Sequence, residues 1–197
     1  MKRLVKVLLQ HQGAASLALF TREIWANPRA MGAAFPSAPA LASHMAAQVP
    51  LDRDGWVVEL GGGTGVVTAA LLKHGVPPWK LVVVERSPTL ASHLRQRFPQ
   101  LRIIQGDAAQ LGQLLDHPQF PLSSIVSSLP LRSLNPATTR AISHQFEILL
   151  QPGGLLIQFT YDLRGTRTRL LPRFRRLSSR IVWSNLPPAR VDVFERE

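Results

Sequence analysis

A run of glycines follows one short apolar segment in the first half of the chain. Val57 to Leu60 is typical of a buried strand, and it leads into Gly61-Gly62-Gly63-Thr64-Gly65. Glycine lets the backbone turn sharply and come close to a ligand, as it does where a strand passes into a helix in cofactor-binding proteins. The cofactor-binding residues predicted in this segment are Glu59, Gly61, Gly63 and Gly65.

Two further acids stand at the ends of the next two apolar segments. Glu85 lies 20 residues after Gly65, where a carboxylate can accept hydrogen bonds from both hydroxyls of a ribose. Asp107 can accept a hydrogen bond from an adenine amino group, and the backbone of Ala108 can donate to the ring. Arg86 is assigned to the same site. The alternative, that both acids only cap helices, leaves the neighbouring glycine turn unexplained.

Short apolar segments alternate with helical patterns from Gly55 onward, which predicts a parallel sheet with crossover helices. The expected strands are 56–60, 81–85, 101–105, 124–128 and 155–160, and a closing hairpin is expected from 181–183 and 190–194. The expected helices include 38–48, 66–74 and an amphipathic segment over about 4–25. We therefore divide the chain into an N-terminal helical extension, 1–50, and one α/β domain, 51–197.

The glycine turn, Glu85 and Asp107 together resemble motifs I, II and III of the class I S-adenosylmethionine-dependent methyltransferases. Glu59 inside the first motif distinguishes them from the dinucleotide fingerprint of a dehydrogenase. The resemblance implies a Rossmann-like α/β fold with a seven-stranded, mostly parallel sheet and an antiparallel terminal hairpin. It also implies methyltransferase activity with S-adenosylmethionine as the cofactor.

The residues after the fourth strand separate two methyltransferase families. The segments 84–88 and 105–108 are similar to those of the rRNA adenine dimethylases. Enzymes that methylate a base amine carry Asn or Asp, then an apolar residue, Pro and an aromatic that stacks on the flipped base. This chain has Ser128-Leu129-Pro130-Leu131 instead. The stretch 127–134 resembles the bacterial phospholipid N-methyltransferases, as do 158–161 and 183–191.

In that family a peripheral membrane enzyme methylates the headgroup amine of phosphatidylethanolamine, and the resemblance implies a lipid amine as substrate here. Tyr161 is the first candidate to contact the amine, through its hydroxyl or by cation–π attraction. Backbone carbonyls of Ser127 and Ser128 would orient the amine, and Arg132 would meet the lipid phosphate. An RNA or protein methyltransferase and a non-catalytic cofactor-binding protein stay open as alternatives.

The charge balance favours an anionic partner. The chain has 23 Lys and Arg against 12 Asp and Glu, a net charge of +11. Arginines interleaved with apolar residues and no acid fill 164–180, which suits an anionic bilayer, although RNA phosphates would accept them too and a solvated helix face is the plain alternative. The predicted membrane-contacting residues are Phe20, Trp25, Arg173, Arg175 and Arg176.

Several classes are excluded or disfavoured by composition. The absence of Cys excludes a disulfide framework, a thiolate zinc site and a catalytic thiol. The six His are scattered without metal spacing, so we expect no metal. The apolar part of the N-terminus is too short for a signal peptide, and no apolar run is long enough to span a bilayer. We expect a monomeric cytoplasmic protein, peripheral on the inner face of the cytoplasmic membrane, with the N-terminal helix as a lid.

Overall fold

A seven-stranded sheet in the order β3-β2-β1-β4-β5-β7-β6 forms the centre of the protein. The computed structural model describes residues 39–116, 121–164, 171–185 and 187–197. The strands are β1 (Trp56–Leu60), β2 (Leu81–Glu85), β3 (Arg102–Gln105), β4 (Leu122–Ser127), β5 (Leu150–Thr160), β6 (Phe174–Val182) and β7 (Ala189–Arg196). Strands β1 to β5 pair in parallel, and β7 is antiparallel to both β5 and β6. The predicted fold class is confirmed.

Helices cover both faces of the sheet, because each parallel connection returns through a crossover. They are α1 (Pro39–Ala46), α2 (Val66–His74), α3 (Pro88–Arg97), α4 (Leu111–Leu114) and α5 (Pro136–Leu149), with single 3-10 turns at Pro78–Lys80 and Ala108–Gln110. Leu41, Leu71 and Leu94 bury α1, α2 and α3 on one face. Leu111 and Phe146 bury α4 and α5 on the other.

Local signals determine where two of these helices begin. The hydroxyl of Ser87 accepts a hydrogen bond from Leu90 N at 3.3 Å, and the side chain of Asn135 accepts one from Thr138 N at 2.8 Å. In each helix the next residue is proline, whose missing N–H costs nothing at the first helical position. Both helices therefore begin directly after a loop at the ends of the parallel strands.

The predicted bounds hold closely for the elements around the glycine turn and less well elsewhere. Strands β1 and β2 and helix α2 match the prediction residue for residue, and α1 confirms the helix expected over 38–48. Strand β5 begins at Leu150 instead of Leu155, because it follows α5 without a loop. Its first residues include Gly153 at φ 82° and a register shift opposite β4, so no apolar alternation marks them.

The segment 174–180 is a strand and not a solvated helix face. It forms most of β6, the edge strand of the sheet, where residues 175–180 are exposed. Arginines point to both faces, which removes the apolar alternation that would have predicted a strand. A register shift between Arg176 and Ser178 interrupts the ladder. Charges and a bulge are how an edge strand avoids pairing with another chain.

The loops that follow β1 to β5 all lie at one edge of the sheet, which we call the carboxyl edge; the opposite edge is the amino edge. Strand β6 runs in the same direction, because it and β5 are both antiparallel to β7. Thr160 and Ile181 pair with the same residue, Arg190. The turn after β6 therefore stands beside the end of β5 at the carboxyl edge.

The predicted helix over 4–25, with Phe20 and Trp25, lies outside the described residues. The described end of the predicted 1–50 extension, α1, belongs to the main core, and its Leu41 and Met45 are fully buried. Within the described residues no helix is long and apolar enough to cross a membrane.

Candidate active site

The glycine turn after β1 has a backbone that glycine alone adopts easily. Gly61, Gly63 and Gly65 have φ angles of 75°, 54° and 81°, in the left-handed region where a side chain is strained. A Cβ at Gly65 would also lie 2.5 Å from the ring of Phe98. The turn therefore needs these glycines both for its conformation and for the close packing of α3 beneath it.

Glu85, at the end of β2, ties the glycine turn to the next loop. Its carboxylate oxygens accept hydrogen bonds from Gly63 N at 2.9 Å and Ser87 N at 2.8 Å, and the side chain is buried. These two hydrogen bonds fix the side chain in place beside the glycine turn, at the carboxyl edge.

Asp107 and Ala108 lie beside Glu85, as predicted from the sequence. Gly106 N donates to the carbonyl of Glu85 at 3.0 Å, which joins the loops after β2 and β3. Asp107 accepts from Ala109 N at 2.9 Å, and its other oxygen lies 3.6 Å from Arg86 Nε. Ala108 begins a 3-10 turn, so its N–H is one of the amides that have no acceptor within that turn.

Glu59 is fully buried under the glycine turn. Neither carboxyl oxygen has a hydrogen-bond partner among the residues that the structure describes. Burial raises the pKa of Glu59 to about 8. The polar groups of the nearby Thr68 favour the charged form and so limit this rise, whereas the negative charge of Glu85 adds to it. Glu59 is therefore mostly protonated at neutral pH, which the sequence did not predict.

The loop after β4 packs directly on the glycine turn. Ser128 N donates to the carbonyl of Leu60 at 2.9 Å. A Cβ at Gly61 would approach the side chain of Leu129 to 3.1 Å. The structure thus brings the predicted Ser127 and Ser128 next to the cofactor motif, where a methyl acceptor would have to bind.

Leu131, at the position where base methyltransferases carry an aromatic ring, is buried in the core on the α5 face of the sheet. Its carbonyl accepts a hydrogen bond from the hydroxyl of Thr139 on α5 at 2.8 Å. The side chain therefore offers no surface on which a base could stack.

Gln158 binds the loop after β4 through its side chain. No role was predicted for this residue from the sequence. Its side-chain amide donates to the carbonyl of Leu129 at 2.9 Å and to that of Phe159 at 2.7 Å, and the residue is buried. The available signal was a single polar residue in the otherwise apolar segment 155–159. Gln158 couples the end of β5 to the loop that faces the glycine turn.

Tyr161 directly follows β5 at the carboxyl edge. Its ring packs edge-to-face on Phe159, with centroids 5.5 Å apart. Burial raises the pKa of the Tyr161 hydroxyl, and Asn185 in the turn after β6 opposes the rise. Asn185 is itself buried and donates to the carbonyl of Pro187 at 2.6 Å. Because the hydroxyl stays protonated at neutral pH, Tyr161 is unsuited to remove a proton from an amine, and its ring is the better candidate for the contact.

The predicted cationic residues fall into two separate groups. Arg132 forms an ion pair with Asp162, joining the loop after β4 to the turn after β5. Arg173, Arg175 and Arg176 lie at the other end of β6, about 25 Å from its carboxyl end at roughly 3.3 Å per residue. The structure therefore does not bring these three arginines to the candidate site.

No cluster of three or more His, Asp or Glu able to hold a metal ion occurs in the part of the chain that the structure describes.

Comparison with known proteins gives a domain match and several similar methyltransferases. Residues 57–154 match a family model described as a methyltransferase domain. The chain is similar to the ornithine lipid N-methyltransferase of Singulisphaera acidiphila, with 28% identity over 179 residues that cover 87% of this chain and 91% of that protein. It is also similar to the ribosomal RNA small subunit methyltransferase A of Chlorobium chlorochromatii, with 30% identity over 93 residues, or 47% of this chain and 34% of that protein.

Among solved structures, the fold is similar to that of the N-methyltransferase NodS from Bradyrhizobium japonicum, determined in complex with S-adenosyl-L-homocysteine. The TM-score is 0.60 at 16% sequence identity, and the match covers 78% of this chain and 85% of that one. At this identity the similarity establishes the fold.

Proposed function

The chain is a class I S-adenosylmethionine-dependent methyltransferase, and we propose that it methylates the headgroup amine of a membrane lipid such as phosphatidylethanolamine. The proposal joins three features of the carboxyl edge: a cofactor site, a methyl-acceptor region without a base-stacking residue, and an aromatic ring beside that region.

The residues at the carboxyl edge fit S-adenosylmethionine. Glu85 is held by two backbone N–H groups and can accept hydrogen bonds from the ribose hydroxyls. Asp107 and the amide of Ala108 stand beside it for the adenine. The glycines with left-handed backbone conformations have no side chains, which leaves room at the turn for the methionine part of the cofactor. When bound, the cofactor supplies an activated methyl group on a sulfonium, so the protein needs no nucleophile of its own.

The lipid proposal depends mainly on which residues occupy the loop after β4. Exocyclic base amines are methylated by enzymes that place an amide or acid and a stacking aromatic in this loop. Here the corresponding residues are Ser128 and Leu131, and Leu131 is buried. This loop has neither group for binding a flipped adenine, whereas a small amine on a flexible headgroup needs no stacking surface.

The extent of similarity to the relatives supports the same choice. The lipid N-methyltransferase relative matches nearly its whole length and most of this chain. The rRNA methyltransferase relative matches about half of this chain and a third of its own length. An RNA substrate is the second candidate, because that relative acts on RNA and the chain is strongly basic.

The chain's own contribution to the reaction is to orient the amine and exclude water. In-line displacement requires the amine nitrogen, the methyl carbon and the sulfur to be collinear, and positioning supplies much of the rate. Backbone carbonyls of Ser127 and Ser128 orient the amine, with Gln158 fixing their loop. Attack requires the neutral amine, so the headgroup ammonium first gives its proton to water, and the N–C bond then forms as the C–S bond breaks. The ring of Tyr161 attracts the headgroup while it is cationic, before deprotonation and after each transfer, increasingly as methyl groups accumulate. Arg132, which forms an ion pair with Asp162, is our candidate to bind the lipid phosphate.

Expression in a host that makes phosphatidylethanolamine but no methylated lipids tests the proposal. We expect mono-, di- or trimethylated headgroups in the lipid extract, and much less of them with the Glu85→Ala variant. A host supplied with ornithine lipid distinguishes the two lipid amines. Unchanged lipids from a host in which the wild-type protein is folded and binds the cofactor would refute the proposal.

A further inference from the structure

Trp183 is a large aromatic residue that stands almost fully in solvent, 71% exposed, in the turn after β6. Thr160 and Ile181 are level with each other across β7, so Trp183 lies at the same edge as Tyr161. Two strand spacings, about 10 Å, separate them laterally. Asn185, which lies near the Tyr161 hydroxyl, belongs to the same turn. An exposed Trp therefore stands on the rim of the proposed acceptor site.

The two edges of the sheet differ in their acids. The acids of the described chain that lie at the amino edge are Asp52, Asp54, Asp116, Glu147, Glu195 and Glu197. At the carboxyl edge the solvent-accessible acids are Asp107 and Asp162, and each lies beside an arginine. The exposed arginines at or near this edge are Arg86, Arg132, Arg164 and Arg180. Exposed arginines thus outnumber accessible acids at the edge with the active site, which makes this edge complementary to an anionic surface; the amino edge has exposed cations too, among them Arg53, Arg95 and Arg102.

We propose that the turn after β6, with Trp183 at its tip, docks the carboxyl edge on an anionic lipid bilayer, so that the acceptor site opens onto the headgroups. The inference rests on the proposed lipid substrate. Trp favours the membrane–water interface, where its ring is partly buried and its N–H stays hydrated. Arg164 and Arg180 then lie at the level of the anionic headgroups, where each cation adds to binding.

This orientation leaves the arginines at the start of β6 outside the contact. Arg175 pairs with Glu195 at 2.6 Å. Together with Arg173 and Arg176 it lies about 25 Å from the carboxyl end of β6, beyond the screening length of roughly 8 to 10 Å at physiological salt. These cations therefore contribute little to bilayer binding in this geometry.

Trp79 provides a matched control within the same chain. It is 74% exposed, as Trp183 is, but it precedes β2 and so lies at the amino edge. Trp183→Ala should lower the partition coefficient on phosphatidylcholine–phosphatidylglycerol vesicles at least fivefold, and Trp79→Ala should leave it within twofold. The melting temperature and the affinity for S-adenosylmethionine should be unchanged in both variants, because neither residue lies at the glycine turn, at Glu85 or at Asp107.

Quenching by brominated acyl chains gives a second, direct measurement. Variants in which Trp183 or Trp79 is the sole tryptophan are mixed with brominated vesicles. Trp183 should be quenched and Trp79 should not. An unquenched Trp183, or equal vesicle binding by the two alanine variants, would overturn the inference. If the protein methylates lipid amines but Trp183 is not quenched, only the proposed docking surface is refuted. If no lipid amine is methylated, the proposed function itself is refuted.

Discussion

At the level of single residues, Glu85 is the cofactor contact with the clearest expected effect. A charge-assisted hydrogen bond to a ribose hydroxyl contributes on the order of 1.5 to 3 kcal/mol, so Glu85→Ala should weaken S-adenosylmethionine binding at least tenfold. The change also removes the acceptor for Gly63 N and Ser87 N. Calorimetry on a variant whose thermal unfolding is still cooperative measures the effect. Unchanged affinity would contradict the cofactor assignment.

Glu59 makes a prediction about pH and stability. Its pKa is about 8 in the folded protein against 4.5 in a model compound, so between these values the folded state binds more protons than the unfolded state. The free energy of unfolding therefore falls as pH rises from about 4.5 to about 8. In Glu59→Gln this component is removed, and the variant should exceed wild type at pH 8 by on the order of a few kcal/mol. Denaturant unfolding of wild type and Glu59→Gln at pH 5 and pH 8 measures the free energy of unfolding of each. If this free energy changed with pH in the same way in the two proteins, Glu59 would be charged in the folded protein.

Tyr161 can act through its ring or its hydroxyl, and two substitutions separate these roles. Tyr161→Phe keeps the ring and should retain kcat/KM within about threefold, because the hydroxyl is protonated and lies beside Asn185. Tyr161→Ala should lose roughly three- to thirty-fold, the range of a partly desolvated cation–π contact, with the larger loss on a dimethylated headgroup. Equal losses in the two variants would assign the role to the hydroxyl.

At the level of elements, the junction of β4 and β5 fixes the acceptor loop. Gln158→Leu removes both hydrogen bonds to the carbonyls of Leu129 and Phe159 and should lower kcat tenfold or more while the cofactor Kd changes less than twofold. Gln145→Leu is the control, because Gln145 accepts a hydrogen bond from Gly112 N at 2.8 Å, away from the acceptor loop. It should lower stability and leave kcat unchanged. A parallel loss of kcat in both variants would mean that Gln158 only supports the core.

Elements could be predicted where burial imposes a clear pattern. Strands β1 and β2 are apolar runs bounded by turn residues, and parallel strands covered on both faces read this way. The last residues of β6 were predicted as part of the terminal hairpin, but its first part, 174–180, could not be predicted, because an exposed edge strand with arginines on both faces carries no period-2 signal. Likewise, the spacing predicted that Glu85 and Asp107 stand at the ends of two neighbouring strands, and they do, but nothing local predicts that Gln158 and Asn185 reach across to other loops.

At the level of the whole molecule, the number of solvent-accessible acids separates the two edges of the sheet, whereas each edge has an exposed tryptophan. Net charge alone, at +11, left lipid and RNA equally acceptable as anionic partners. The structure adds that the acid-poor edge is the one with the glycine turn, Tyr161 and Trp183. This arrangement could not be foreseen from composition, because it depends on which chain ends and loops the topology brings to each edge.

In the proposed reaction a lipid amine, and not an RNA base, receives the methyl group. Purified protein with methyl-labelled S-adenosylmethionine, offered phosphatidylethanolamine vesicles and rRNA fragments in the same reaction, tests it most directly. We predict label in the lipid fraction, dependent on Glu85 and reduced by Tyr161→Ala, and none in the RNA. Label in the RNA with none in the lipid would refute the proposed lipid substrate.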